Sequence, residues 1–252
     1  MDIASLHNAP QLVKARTDAI YADMRRQSRR LGEGNFNVIE SSDVARLFRL
    51  YDEHFFDGRL HDAVEAKSPA PMRFRLSPTM TRAGGKTILY KRKLLGGQRF
   101  PEYEIAIGTR LLFTSFRDVK RPVTVCGHVC ADRLEALQRI LEHEIVHLLE
   151  LLAWDKSSCA AARFQGMAQR VFNHTAFKHD LVTPAEHAAT QYDIRIGSVV
   201  EFLYDGRTVT GRVNRVHHRA TVLVESPEGV RYTDGKRYEK FYVPLPRLKP
   251  VG

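Results

Sequence analysis

Three side chains in one short run could do chemistry together: His143, Glu144 and His147, in the order His-Glu-Ile-Val-His. On a helix, residues four apart project from the same face on successive turns, so two imidazoles at this spacing can share one metal ion. The glutamate lies one position around, beside the coordination site. There it can take a proton from a water and hand it to a leaving amine. Zinc is the ion that suits imidazole donors in such a motif, because it acidifies water and polarises a scissile carbonyl. The chemistry expected is therefore hydrolysis of a peptide bond by a zinc-activated water, with Glu144 as general base.

Such an ion needs a third protein ligand, and several residues compete for that place. His174 follows the motif by 27 positions and is the first choice. Cys159 comes sooner and His179 slightly later, while a carboxylate in third place would point to Glu186. Cys126-Gly127-His128-Val129-Cys130 lacks a second paired set and reads as a turn with buried thiols. Trp154 reads as a packing residue, and His217-His218 as a solvent-facing hairpin turn.

The elements that must hold these residues follow from periodicity. The motif lies within a Leu-rich run with Leu134, Leu137, Leu141, Ile145, Leu148, Leu149 and Leu152, preceded by Asp132 as cap and Glu135 three residues on. A second helix is expected from about Cys159 to Phe172, and a further one after Thr183-Pro184. Upstream, Ser41-Ser42-Asp43 is expected to cap a helix with Val44, Leu47, Phe48, Tyr51 and Phe55 on one face, stopping at Asp57-Gly58. In the first thirty residues Leu12, Ala15, Ala19 and Ala22 mark a helical face. From Met72 the period becomes two. Met72/Phe74/Leu76, Lys86–Lys91 and Tyr103/Ile105/Ile107 read as strands, with Gly84-Gly85 and Gly96-Gly97 as turns. After Gly197, short β-rich runs divided at Asp205-Gly206, His217-His218 and Pro227-Glu228-Gly229 suggest an SH3-like barrel.

The fold class expected is α+β: zincin-like helices packed on a small, mainly antiparallel sheet, plus a small C-terminal β-barrel. The divisions are a helical extension over 1–40, the metal domain over 41–190 and the barrel over 197–252.

Charge points to a partner. The chain of 252 residues carries a net charge of +10 and a pI near 9.7. Residues 71–121 hold twelve Lys/Arg against three acids. Arg82, Lys86, Lys91, Arg92 and Lys93 are the residues expected to contact nucleic acid, DNA more than RNA. The first residues lack the basic and apolar regions of a signal peptide, and no apolar run is long enough to span a bilayer. Three cysteines do not make a disulfide framework, so a reducing cytoplasm is expected, with no membrane partner.

Beyond the motif, the chain resembles the SprT-like metalloprotease family. Leu47 to Leu60, with its aromatic pair Phe55-Phe56 and Asp57-Gly58, looks like that family's opening helix. Met80 to Gly85 is similar to its glycine-containing strand turn. Ile105–Phe113 and Glu142–Leu148 resemble the elements leading into and forming its zinc helix. The likeness spans about residues 41–180. It implies zinc on His143 and His147, Glu144 as base, and protein substrates associated with DNA, as for spartan. It also implies a third ligand that is a His followed by Gly. Here His174 is followed by Thr and lies farther along, whereas Cys159 occupies the expected distance. The competing expectation is a non-catalytic DNA- or RNA-binding protein with a structural zinc.

Overall fold

A computed structural model describes residues 6–251 apart from 94–96, 98 and 118. It divides into two compact units, Met1–Leu181 and Val182–Gly252. Among the described residues no helix is long and apolar enough to cross a membrane.

The first unit is built around one long helix. Its helices are α1 (Pro10–Gln27), α2 (Ser41–Phe56), α3 (Arg59–Lys67), α4 (Thr109–Ser115), α5 (Arg133–Trp154) and α6 (Ala162–Phe172). Its strands are β1 (Arg73–Leu76), β2 (Gly85–Lys93), β3 (Arg99–Ile107), and the hairpin β4 (Val123–Val125) and β5 (His128–Cys130). Leucines and isoleucines cover most of the circumference of α5, and Leu134, Leu137, Leu141, Ile145, Leu148 and Leu149 are all wholly buried. With its polar residues Gln138, Glu142, Glu144 and Glu150 buried as well, this helix sits in the middle of the core. Its start is fixed as the capping signal predicts: Asp132 accepts from the Glu135 amide at 2.9 Å, and Glu135 accepts from Ala131 at 2.7 Å.

The sheet of this unit has the order β1-β3-β2. β3 is central, antiparallel to β2 but parallel to β1, so only one of the two pairings is antiparallel. Of the expected turns, Gly85 opens β2, while Gly96 lies outside the described residues. Two local expectations change. In α1 the buried stripe is Val13, Thr17, Ile20 and Met24, and Leu12 is exposed. The alanines at 15, 19 and 22 add too little apolar area to decide which face packs. The cap of α2 is Glu40 rather than Ser41, with the Asp43 carboxylate accepting from the Glu40 amide at 2.9 Å.

The second unit holds α7 (Pro184–Tyr192), capped by Thr183, and five strands: β6 (Val199–Tyr204), β7 (Arg207–Val216), β8 (Ala220–Arg231), β9 (Arg237–Val243) and β10 (Lys249–Pro250). These form one antiparallel sheet in the order β10-β6-β7-β8-β9. It is open, not the expected barrel, because β9 and the two-residue β10 stand at opposite edges and do not pair. Pro227-Glu228-Gly229 is not a turn either. β8 runs through it with an irregular register, and a Cβ on Gly229 would lie 2.3 Å from the Tyr238 backbone. Ala188 and Ile194 join Val200, Phe202, Val213 and Val222 in a core belonging to this unit.

The Asp132 cap yields a direct expectation. Asp132→Ala should lower stability by ~1–2 kcal/mol, since it removes the cap of the central helix. The check is chemical unfolding followed by far-UV circular dichroism, and an unchanged midpoint would contradict this role for the cap.

Candidate metal centre

His143 and His147 leave α5 on one face, as their spacing dictates, and their Nε2 atoms come to 3.2 Å. Phe164 of α6 packs on both rings, with centroids at 4.8 and 4.4 Å. Which nitrogens carry the protons follows from what lies behind each ring. Ser157 Oγ is 2.6 Å from His147 Nδ1 and 2.6 Å from Glu150 Oε2. The hydroxyl has a single proton, which the carboxylate takes, so its oxygen accepts from His147 Nδ1–H. Glu150 is wholly buried and receives Arg163 Nε at 2.6 Å on its other oxygen.

A softer version stands behind His143. Its Nδ1 lies 3.7 Å from Cys126 Sγ, and that thiol donates to the Arg139 carbonyl at 3.8 Å. Burial pushes the Cys126 thiol far above its ordinary range, so it stays protonated and its sulfur accepts from Nδ1–H. Both imidazoles thus carry their proton on Nδ1. Their Nε2 lone pairs face each other, an arrangement that repels until a cation comes between them.

Burial is also the main reason that both rings resist protonation. His143 falls to about 3, and any charge on His147, His174 or His179 would lower it further. His147 falls to about 4, held up slightly by Glu150. Neutral imidazole is the form that ligates a metal.

A third donor comes from the loop after α5. Asp155 ends the helix in the left-handed conformation, with φ 54°, and turns the chain back so that Ser157 and Cys159 reach the histidines. The ligand atoms of His143, His147 and Cys159 all lie within 4.8 Å of one another, a group that could hold a metal ion. A four-coordinate zinc site has ligands ~3.5 Å apart, so a small inward movement of the side chains completes it.

The other candidates are placed differently. His174 is buried with its Nε2 on Glu142 Oε2 at 2.8 Å. Glu142 also accepts from the Tyr51 hydroxyl at 2.7 Å and from Arg139 at 2.9 and 3.0 Å. Burial would raise the Glu142 carboxyl, but Arg139, His174 and Tyr51 together hold it down to about 2. His179 lines the same cavity as the pair, yet its Nε2 accepts the Gly84 amide at 3.0 Å. Glu186 lies on α7 in the second unit. The structure therefore brings Cys159 to the histidines, not His174.

Glu144 sits beside them, also buried. Thr87 Oγ1 lies 2.7 Å from its Oε2 and 2.9 Å from its carbonyl oxygen. Burial raises this carboxyl to about 7, against the lowering effect of Thr87. The carboxylate fits because residue 85 has no side chain: a Cβ there would lie 2.7 Å from Glu144 Cγ and Oε1. Together these groups line a cavity of 940 Å³ with β2 along one wall. Thr87, Ser157 and Glu150 carry no motif that sequence reasoning could have picked out, while Gly85 and Cys126 are legible only as turn residues. Cys126-Gly127 does form the expected turn, with positive φ at both residues.

The basic residues expected to form one nucleic-acid surface are divided. Arg82, Lys86 and Lys91 line the cavity, Arg92 pairs with Glu102 at 2.8 Å, and Lys93 is exposed near the end of β2. Arg73 and Arg75 are likewise taken up by Glu104, at 2.6 and 2.8 Å. Trp154 is 40% exposed, with the Arg163 guanidinium 4.2 Å from its ring centre, so it is not a core residue.

Two expectations follow from this geometry. Cys159→Ala should abolish tight metal binding, whereas His174→Ala should keep it and cost ~1–3 kcal/mol of stability by leaving Glu142 short of a donor. Elemental analysis and unfolding of the purified variants check both, and metal lost only from His174→Ala would reverse the assignment. Ser157→Ala should weaken metal affinity about 10- to 100-fold by releasing His147 from its Nδ1 anchor, measured by chelator competition.

No protein-family profile, no curated protein and no solved structure matches this chain.

Proposed function

We propose that this chain is a SprT-like zinc metallopeptidase, with zinc held by His143, His147 and Cys159 and Glu144 as general base. The observation that carries the reading is the pair of Nε2 atoms 3.2 Å apart with Cys159 close by, each ring having a partner for its Nδ1 behind it. A closed structural site takes four protein ligands, while a catalytic one keeps a position open. The cluster among the described residues offers three donors, which favours the open type.

Zinc, when bound there, would supply a Lewis acid that acidifies water and polarises a carbonyl. The protein supplies the rest. Thr87 holds Glu144 Oε2, leaving Oε1 to accept the proton of the attacking water and deliver it to the departing amine nitrogen. The phenyl ring of Phe164 backs both imidazoles and limits their rotation. A peptide has a natural seat beside them. β2 lies at the edge of its sheet, pairs only with β3 among the described residues, and lines the cavity, so an extended chain can add to it as a further strand. The substrate would be a protein, and the net charge of +10 favours one associated with nucleic acid.

Glu144→Gln tests the mechanism. The variant should retain zinc and fold normally, while cleavage of an unfolded protein substrate falls about 100- to 10,000-fold, the usual worth of a general base. Proteolysis at the wild-type rate would rule out the role given to Glu144.

A further inference from the structure

We propose that the outer face of the open sheet in the second unit binds single-stranded nucleic acid. The inference does not rest on the metal site, and the residues differ from those the charge distribution first suggested.

Strand alternation sorts this sheet into two faces. Val200, Phe202, Val213, Val222 and Val243 turn inward to the unit's core. On the other face two cross-strand rows are set by the register. Arg212, Leu223 and Lys240 lie opposite one another across β7, β8 and β9. Arg215, Thr221 and Tyr242 form the next row. The irregularity between Val213 and Arg215 is what puts Arg215 on this face while Val216 returns to the core.

The face is therefore a tyrosine set among three cations. Tyr242 is 64% exposed. Arg212, Arg215 and Lys240 are in no ion pair among the described residues. Arg212 donates to the Gly197 carbonyl at 2.8 Å, and Lys240 Nζ lies 5.6 Å from the Tyr232 ring centre. Tyr232 in turn packs edge-on against Tyr238 at 5.3 Å, extending the aromatic surface toward the hairpin end. Of the acids nearby, Glu225 is paired with Lys236 at 2.7 Å, and Glu239 accepts from the Ser226 hydroxyl at 2.7 Å. Glu201 lies on the same face one row beyond Arg212, opposite Thr210 and Lys249, so the acids border the cationic rows on one side only.

A single exposed tyrosine is ordinary. A ring flanked by unpaired cations on two successive rows, ~7 Å apart along the strands, has a more specific use. An unpaired base stacks on the ring while neighbouring phosphates meet the guanidinium and ammonium groups. A duplex offers no free base face to such a ring, and an acidic peptide would need the cations but not the tyrosine.

The test uses the full chain and fluorescence anisotropy with labelled oligothymidylate, oligouridylate, a duplex of equal length and polyglutamate. Both single strands should bind more tightly than the duplex or polyglutamate. Tyr242→Ala should weaken them about tenfold or more, and Tyr242→Phe should bind as wild type. Arg215→Glu should weaken binding and flatten its salt dependence. Glu144→Gln should bind like the wild type, which separates this proposal from the peptidase reading. Circular dichroism confirms that each variant is folded. Unchanged affinity in folded Tyr242→Ala, or equal affinity for duplex or polyglutamate, would overturn the proposal.

Discussion

Two imidazole Nε2 atoms meeting at 3.2 Å set the terms for everything around them. Left alone, such a pair would rotate apart or exchange a proton. Here neither is open, because each ring is tied from behind. The tie on His147 is a chain of 2.6 Å contacts through Ser157 to Glu150 and on to Arg163. It requires α5 to end at Trp154 and the chain to turn sharply at Asp155, so the loop that brings in Cys159 is the one that fixes His147. The tie on His143 requires the β4–β5 hairpin, whose turn residue Cys126 presents its sulfur to Nδ1. Two otherwise unrelated loops are thus held to the face that carries the histidine pair.

The central helix bears a second polar load next to the first. Glu142 is wholly buried and surrounded by Tyr51, Arg139 and His174. A buried carboxylate without such donors would cost several kcal/mol, and removing one partner of a buried pair costs more than the pair contributes when complete. This explains why a histidine stands just past α6 without ligating anything. His174 closes a network that joins α2, α5 and the turn after α6, and so braces the helix that carries His143 and His147.

What could be read from the sequence depended on whether the signal was local. The His-Glu-x-x-His spacing, the Asp132 cap, the stripe on α2 and the stop at Asp57-Gly58 are all set within one element, and each is found. The third donor depends on how a loop returns to the helix, which spacing alone does not determine. His174 and Cys159 are both chemically suitable, and what separates them is the loop that sets Cys159 beside the pair and the claim of Glu142 on His174. The relay through Ser157 and the bare Cβ position at Gly85 are contacts between distant segments with no periodic trace. The α1 stripe falls on Val13, Ile20 and Met24 and not on the alanines, because small side chains compete poorly for the packed face. The barrel failed to close because closure depends on strand tilt and edge pairing, which alternation does not report.

Charge was the least direct guide. The excess of positive residues over 71–121 suggests a continuous basic surface, but Glu102 and Glu104 on β3 draw in Arg73, Arg75 and Arg92 and cancel much of it. Burial first raises Glu104, and the two arginines then lower it below its ordinary value, so this carboxylate stays ionised and keeps them neutralised. A count of charges along a sequence measures potential only where the cations lack partners. By that criterion Arg212, Arg215 and Lys240 of the second unit, which are in no ion pair among the described residues, count in full, and they share a sheet face with the exposed Tyr242. Recognition of a polyanion and chemistry on a peptide can then reside in separate units, each with its own core. If both proposals hold, the residues that meet phosphate and the residues that would hold a metal belong to different units, so neither set has to serve the other's chemistry.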